Sequence, residues 1–115
     1  MANLIYKIVS RQLWQDAEAK GVFDGAPVDH ADGYIHFSTA TQVRETAAKH
    51  FAGANDLLLV AIDADVLSDK LIYEPSRGGA LFPHLYEPLP LTAAVWIKDL
   101  PLADDGSHIF PELDA

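Results

Sequence analysis

The chain has 115 residues, half of them hydrophobic and none of them cysteine, which predicts one domain with a real core and excludes disulfides, thiolate metal sites and thiol nucleophiles. Its 8 basic and 17 acidic residues give a net charge of -9, so long nucleic acid is not expected as a partner. No apolar run approaches the roughly 20 residues of a membrane span, and Leu4–Val9 lacks the flanks of a signal peptide, so we expect a soluble cytoplasmic protein without a membrane partner.

The N-terminal part of the chain predicts a strand followed by a helix. Leu4–Val9 carries the β-branched and aromatic residues typical of a strand. Ser10 is a suitable N-cap for a helix over about residues 11–20, and Gly21 is placed to end it. Residues 22–31 contain glycine, proline and two aspartates, and we interpret them as a loop.

A second strand and a second main helix follow. Asp32-Gly33 is a turn signal that leads into a strand over residues 34–37, which delivers His36 to its end. Thr39–Gln42 has the capping-box spacing and predicts the start of a helix. Apolar residues at four-residue intervals give this helix one buried stripe, and Gly53 closes it: Val43, Ala47 and Phe51.

The later part of the chain predicts three more strands. Leu57–Ile62 is continuously apolar, which favours a central strand covered on both faces, and a short connection with one helical turn follows it. Leu71–Glu74 predicts a strand cut off by proline. Residues 76–90 hold two glycines and three prolines, so regular structure is not expected again until Ala93–Lys98.

The order of these elements defines the expected fold class. Two main helices lie early and the strands cluster late, which favours an α+β single domain over residues 1–115 rather than a wound parallel sheet. The tail over residues 103–115 is acidic and loop-like, with Phe110 expected to anchor it.

Two short segments differ from ordinary scaffold. Asp32–Thr39 and Ser76–Tyr86 concentrate histidine, tyrosine, hydroxyl groups and an arginine beside two glycines, among apolar neighbours. A small-molecule pocket needs such polar groups within a mostly apolar wall. We therefore expect one ligand site built from both segments.

His36 is the first candidate for catalysis. It lies at a strand-to-helix junction, where Ser38, Thr39 and the free amides of a helix start suit a phosphate or carboxylate. One of the two hydroxyls is expected to cap the helix. A neutral histidine can serve as acid or base, although a buried imidazole bonded to a carbonyl is the structural alternative.

The second segment supplies the other candidates. Arg77-Gly78-Gly79 suits an oxyanion or phosphate clasp, although two glycines can equally form a turn after a strand. An aromatic face with a polar edge suits a flat ring: Phe82, His84 and Tyr86. Phe82 also suits the core. Among the carboxylates that flank the site, Glu74 and Glu87 come first, followed by Asp29 and Asp32.

A metal site is not predicted. Histidines 30, 36 and 84 with Asp29 or Asp32 are suitable ligand types, but their spacing matches no recognised ligand pair. Walker A, Rossmann and nucleophile-elbow motifs are absent from the sequence.

The two segments, together with Ile5–Ile8, Gln42, Asp56-Leu57 and Pro88–Pro90, resemble a family of small bacterial proteins called domain of unknown function 952. The resemblance covers about residues 4–102. It implies an α+β domain similar to the ADP-ribosyltransferase fold, in which mostly antiparallel sheets meet at a cleft that holds NAD in active relatives.

The resemblance also implies residue roles. In the active relatives an early-strand histidine followed by a hydroxyl residue grips the nicotinamide ribose, which fits His36 with Ser38 or Thr39. An aromatic residue stacks on nicotinamide, for which Tyr34, Phe82 and Tyr86 are candidates, and Arg77 is a candidate for the pyrophosphate.

Two departures keep two functions open. The relatives use a late glutamate to orient the ribose, but Ala93–Lys98 contains none, and Phe37 stands where they have glycine. The first function is an enzyme acting on NAD, an ADP-ribosyl group or a similar small phosphorylated ligand, with His36 and Glu74 as catalytic residues. The second is a non-catalytic module that binds a small molecule or a protein. The cofactor and the oligomeric state stay unassigned.

Overall fold

The computed structural model describes residues 3–76 and 79–113. These residues form eight strands and three α-helices, with two short 3-10 turns at Ala64–Val66 and Leu91–Ala93. The elements in chain order are β1 (Leu4–Ser10), α1 (Arg11–Lys20), β2 (Val22–Phe23), α2 (Pro27–Asp32), β3 (Ile35–His36), α3 (Val43–His50), β4 (Leu57–Asp63), β5 (Leu71–Pro75), β6 (Leu81–Leu85), β7 (Leu89–Pro90) and β8 (Ala94–Leu100).

The largest sheet is antiparallel and has the strand order β1-β4-β8. Its central strand alternates between two hydrophobic clusters: Leu58, Val60 and Ile62 face one, and Leu57, Leu59 and Ala61 face the other. This arrangement confirms that Leu57–Ile62 is a central strand covered on both faces. Burial on both sides explains why the segment is continuously apolar rather than alternating.

A second antiparallel sheet has the order β3-β6-β5, and β2 pairs with β7 in a short ribbon. His36 on β3 lies directly opposite His84 on β6. The two larger sheets meet where Tyr6 of β1 and Ser38 exchange backbone hydrogen bonds of 2.7 and 2.9 Å. The fold is therefore an α+β domain of mostly antiparallel sheets, as predicted at that level, and the junction of the sheets positions the site.

The two main helices differ in how well the sequence predicted their starts. For α1, Ser10 Oγ accepts a hydrogen bond from the Leu13 N–H at 3.1 Å, and Gly21 ends the helix with a φ of 91°. For α3, Gln42 is the N-cap residue, and its Oε1 accepts from the Thr39 N–H at 3.0 Å. Neither Ser38 nor Thr39 caps the helix, so that prediction is wrong.

Two predicted irregular regions contain regular structure. Residues 22–31 hold β2 and most of α2, because Pro27 occupies the first turn of the helix and Gly33 ends it in the left-handed conformation, with a φ of 88°. Residues 76–90 hold β6 and β7, and Pro83 lies inside the middle strand of the second sheet. These two predictions are wrong, because proline also suits the first turn of a helix and glycine its end, and a strand can contain a proline where its pairing does not need the missing N–H.

The tail follows the prediction more closely. Phe110 is partly buried against the cluster that contains Leu59 and Tyr6, and the Arg44 guanidinium lies over its ring at 5.2 Å. Across the part of the chain that the structure describes, no helix combines the length and apolar character that crossing a membrane requires.

Candidate functional site

A cavity of about 510 Å³ opens where the two larger sheets meet. Lys7 of β1 lines one side, and His36, Phe82 and His84 of the second sheet line another. Pockets of this size hold small organic ligands. The cavity therefore lies at the place to which both predicted segments contribute.

Strand alternation explains why the polar side chains gather here. Phe82 and His84 are two residues apart on β6 and share a face, while Tyr34 and Tyr86 flank β3 and β6 and lie against each other with ring centroids 5.2 Å apart. Glu74 on β5 pairs with Phe82, one diagonal step from His84. One face of the second sheet thus presents two histidines, two tyrosines and a glutamate.

A buried ion pair supports His36 from behind. The Lys7 ammonium donates hydrogen bonds to both Asp29 carboxylate oxygens, at 3.1 and 3.0 Å, and to the His36 carbonyl at 2.9 Å. Asp29 Oδ1 also accepts from the His36 backbone N–H at 3.1 Å and lies 2.6 Å from His36 Nδ1. A single carboxylate thereby fixes both the ring and the backbone of His36.

Asp29 also holds its own helix in place. Its Oδ2 accepts from the Ala26 N–H at 2.7 Å at the start of α2. Gly25 has a φ of 120°, and a Cβ at this position would lie only 2.9 Å from the Asp29 Cβ. The turn before α2 therefore needs glycine both for its conformation and for the close approach of Asp29.

The buried pair has shifted proton affinities. Burial alone would raise the pKa of Asp29, but the hydrogen bond from His36, the charge of Lys7 and the Ala26 N–H together lower that pKa to about 2. Burial lowers the pKa of Lys7, and the charge of Asp29 opposes that shift. Asp29 is therefore an anion at neutral pH, and it accepts rather than donates hydrogen bonds.

The other edge of the His36 ring faces a second carboxylate. Asp32 Oδ2 lies 2.9 Å from His36 Nε2. Asp32 is exposed and immediately precedes Gly33, whereas Asp29 is buried. The His36 side chain is 32% exposed, so its Nε2 lies on the solvent side of the ring and its Nδ1 on the protein side.

His84 forms a second histidine–carboxylate pair. Its Nδ1 lies 2.8 Å from Glu74 Oε1, which also accepts from the Tyr86 hydroxyl at 2.6 Å. The hydrogen bonds from Tyr86 and His84 lower the pKa of Glu74, and the same Tyr86 bond raises the pKa of Tyr86 to about 12. The two pairs are close, because the His36 and His84 ring centroids are 5.5 Å apart.

Tyr34 lies against both imidazoles. Its ring stacks on His84 with the centroids 4.1 Å apart and is tilted on His36 at 4.7 Å. Partial burial, followed by the charges of Asp32 and Glu74, raises the pKa of Tyr34, so its hydroxyl stays protonated near neutral pH. Tyr34 thus adds an aromatic wall with a neutral polar end.

The structure brings most of the predicted site residues together. The residues that share the polar face or contact it are Tyr34, His36, Glu74, Phe82, His84 and Tyr86. Phe82 is also buried, as the core interpretation predicted.

Other predicted residues are arranged differently. Ser38 lines the cavity, but its hydroxyl is paired with that of Thr46 at 2.9 Å. The Thr39 hydroxyl lies 3.2 Å from that of Thr41. Glu87 accepts from the Ser68 hydroxyl at 2.7 Å, which places it in a surface contact.

The glycine clasp is described only in part. Gly79 has a φ of 82°, and its N–H donates to the Ser76 carbonyl at 2.8 Å in the turn between β5 and β6. Its role in this turn matches the simpler of the two interpretations. Arg77 and Gly78 lie outside the described residues, so the clasp remains a prediction.

The sequence reasoning missed Lys7. A lysine inside the apolar strand Leu4–Val9 was the available signal, since a charge in such a strand needs a buried partner. Its partner is Asp29, one of the carboxylates that the sequence ranks after Glu74 and Glu87. Within residues 3–76 and 79–113, no group of three or more histidine, aspartate or glutamate side chains is arranged to hold a metal ion.

Comparison with known proteins places the chain among relatives of similar size. Residues 8–97 match a family model described as "Protein of unknown function (DUF952)". The crystal structure of protein CC0527 from Caulobacter crescentus is similar, with 50% sequence identity, a TM-score of 0.89, and coverage of 92% of this chain and 93% of that one. The solution NMR structure of CC0527 gives 50% identity, a TM-score of 0.82, and coverage of 91% and 90%. The comparison with curated proteins gave no match.

Proposed function

We propose that this chain, which belongs to the DUF952 family of proteins of unknown function, binds a nucleotide of the NAD or ADP-ribose type in the cleft between its sheets. The observation that carries the proposal is the pairing of His36 and His84 across two strands, each with its own carboxylate, beside a cavity of about 510 Å³.

The chemistry of the cleft fits the ribose and the ring of such a ligand. Asp32, which lines the cavity, is an acceptor for a ribose hydroxyl, and His36 can bond a hydroxyl once Asp32 moves aside. Tyr34 and Phe82 offer aromatic surface to a flat ring. The nearby carboxylates favour a ring that carries a positive charge, as oxidised nicotinamide does.

The finer fold assignment is part of the same proposal. Antiparallel sheets that meet at a cleft, with His36 on a short strand at its edge, are consistent with an ADP-ribosyltransferase-like fold. Glu74 on β5 is the glutamate available to that site, since β8 contains none. Phe37, which replaces the glycine of active relatives, is buried and also lines the cavity.

A non-catalytic binding module is the second candidate. The observation that favours it is the double engagement of Glu74, which accepts hydrogen bonds from both Tyr86 and His84. A glutamate held in this way contributes to the shape of a pocket without performing chemistry. Binding is common to both candidates, so binding is tested first.

The test is thermal unfolding with NAD, ADP-ribose and inorganic phosphate as separate additions. A ligand at 100 times its dissociation constant adds about 2.7 kcal/mol to the free energy of unfolding. We expect NAD or ADP-ribose to raise the melting temperature of the wild type. We expect a smaller rise in His36→Ala and in Arg77→Ala, the second of which follows from the sequence alone.

His30→Ala is the matched control, because His30 is an exposed histidine on α2 that does not line the cavity. It should respond to the nucleotides as the wild type does. Unchanged melting temperatures of the wild type with both nucleotides would refute the proposal. An equal response in His36→Ala would move the binding site away from this cleft.

A further inference from the structure

His84 differs from His36 in what surrounds each ring. The His84 residue is only 3% exposed, yet it lines the cavity. Its Nδ1 is held by Glu74 at 2.8 Å. An imidazole that donates its Nδ1–H to a carboxylate carries its lone pair on Nε2.

The Nε2 atom of His84 is available to a ligand. Among the described residues it has no hydrogen-bond partner. In that part of the chain, Trp14 Nε1 is the one side-chain polar atom that is both fully enclosed and unpartnered, so His84 Nε2 is not fully enclosed. Because His84 lines the cavity, we take its accessible Nε2 to face the cavity. By contrast, His36 Nε2 is already paired with Asp32 at 2.9 Å.

Glu74 is poorly suited to accept a proton itself. The Tyr86 hydroxyl and His84 Nδ1 both bond its Oε1, and these bonds lower the pKa of the carboxyl group. A carboxylate with a lowered proton affinity is a weak general base near neutral pH. Its position behind His84 instead suits it to orient the imidazole and to stabilise the positive charge that a proton would bring.

From these contacts we infer that His84 Nε2 is the proton acceptor of the site and that Glu74 is its positioning residue. The inference rests on the proposed function, because it assigns a step to the bound nucleotide. As the acceptor oxygen attacks the ribose carbon of NAD, its proton passes to His84 Nε2, a carbon–oxygen bond forms, and the carbon–nitrogen bond to nicotinamide breaks. The electron pair of that bond leaves with neutral nicotinamide, and the proton later returns to solvent.

The groups around His84 set how the step depends on pH. Glu74 bonds the ring, Tyr34 stacks on it, Tyr86 reaches it through Glu74, and His36 lies edge-on at 5.5 Å. On the far side of His36 are three further charges: Lys7, Asp29 and Asp32. Glu74 is the only carboxylate bonded to His84 among the described residues, so Glu74→Gln is the substitution that changes the charge nearest to the ring.

The test is release of nicotinamide from NAD with water as the acceptor, followed from pH 5 to pH 9. We expect His84→Gln to lower kcat by roughly 100-fold or more, with a smaller change in KM, because glutamine can hydrogen-bond but cannot take the proton. We expect Glu74→Gln to keep measurable activity and to move the acid limb of the pH profile to lower pH. Removal of the negative charge makes protonation of the imidazole less favourable.

Controls separate this inference from the proposed function. His30→Gln makes the same substitution at an exposed position away from the cavity and should leave kcat unchanged. Calorimetric titration with NAD, run on the wild type and on His84→Gln, measures binding alone. If the wild type binds neither NAD nor ADP-ribose, the proposed function fails, and if it binds ADP-ribose but not NAD, the inference about His84 is wrong.

If the wild type binds NAD without releasing nicotinamide, binding stands and the inference about His84 is wrong. Full activity in His84→Gln would also overturn it. Should His84→Gln fail to fold, the Glu74→Gln profile decides. An acid limb at the wild-type pH would then refute the role of His84.

Discussion

The two three-stranded sheets use the same antiparallel pairing for different purposes. In the β1-β4-β8 sheet, six consecutive residues of the middle strand, Leu57–Ile62, are buried against cores on both faces. In the β3-β6-β5 sheet, Ile35 and Leu85 are buried in the core, whereas His36 and His84 occupy the opposite face at the cavity. The first sheet is a packed scaffold. The second sheet carries the polar side chains of the site on the face that does not pack into the core.

Lys7 belongs to the scaffold sheet but contacts the site. It lies on β1 of the scaffold sheet, on the same face as Ile5 and Val9, but its ammonium reaches Asp29 and the carbonyl of His36. The scaffold sheet thus carries one charge that serves the site. Since the ammonium group of Lys7 is buried, its effect on stability depends on its ion pair with Asp29.

The largest effect on the free energy of unfolding is expected from a substitution of Lys7. Lys7→Met leaves the Asp29 carboxylate buried without its cation, which should cost about 3 to 5 kcal/mol of the free energy of unfolding. Urea denaturation at pH 7 measures the loss. The double variant Lys7→Met/Asp29→Asn removes both charges and should be more stable than Lys7→Met alone. A loss below about 1 kcal/mol in Lys7→Met would show that the pair contributes little.

The next effect on the free energy of unfolding compares a buried leucine of the scaffold sheet with an exposed leucine of the second sheet. Leu59 on β4 is fully buried, whereas Leu81 at the start of β6 is 53% exposed. Leu59→Ala should cost about 2 to 5 kcal/mol, because it opens a cavity in the core. Leu81→Ala is the matched control and should stay within about 0.5 kcal/mol. Similar losses in the two variants, measured by urea denaturation, would contradict the difference in burial between the two leucines.

The smallest effect is a dependence on pH. The pKa of Asp29 is about 2 in the folded protein, against an ordinary value of 3.8. The folded state binds the proton less well than the unfolded chain does. The stabilising contribution is therefore fully present above about pH 4 and is lost as the pH falls towards 2, with a total of about 2 kcal/mol.

Denaturation of the wild type and of Asp29→Asn over this pH range checks the effect. The wild type should lose more stability between pH 4 and pH 2 than the variant, because other carboxylates titrate equally in both. Parallel pH curves would mean that Asp29 does not hold a lowered pKa.

The parts of the fold that the sequence predicted well have strong local signals. Ser10 and Gly21 mark both ends of α1, and the short, continuously apolar run Leu57–Ile62 favours a covered strand. The two-residue strands β2 and β7 have no such signal, since two residues carry no periodicity. In β6, Pro83 argues against a middle strand, although the pairing on both sides tolerates it.

The sequence predicts which residues belong to the candidate site but not which of them contact each other. Tyr34 and His36 have the spacing that places them on one face of the strand predicted over residues 34–37, whereas Phe82, His84 and Tyr86 fall in a region for which no strand is predicted. What the sequence could not show is that β3 pairs with β6, so that Glu74 bonds His84 and Asp29 bonds His36. Those partners depend on tertiary contacts, and so does the burial of Lys7.

The Asp29 carboxylate joins the start of α2 to His36, and this has a consequence for anyone who wishes to alter the protein. The stretch from Ala26 to His36 is constrained in length, because both of its ends are hydrogen-bonded to the Asp29 side chain. Reporter peptides or labels inserted there would pull the imidazole out of register. The exposed turn at residues 104–105, which has no hydrogen bond to His36 or His84, is the better place for a graft.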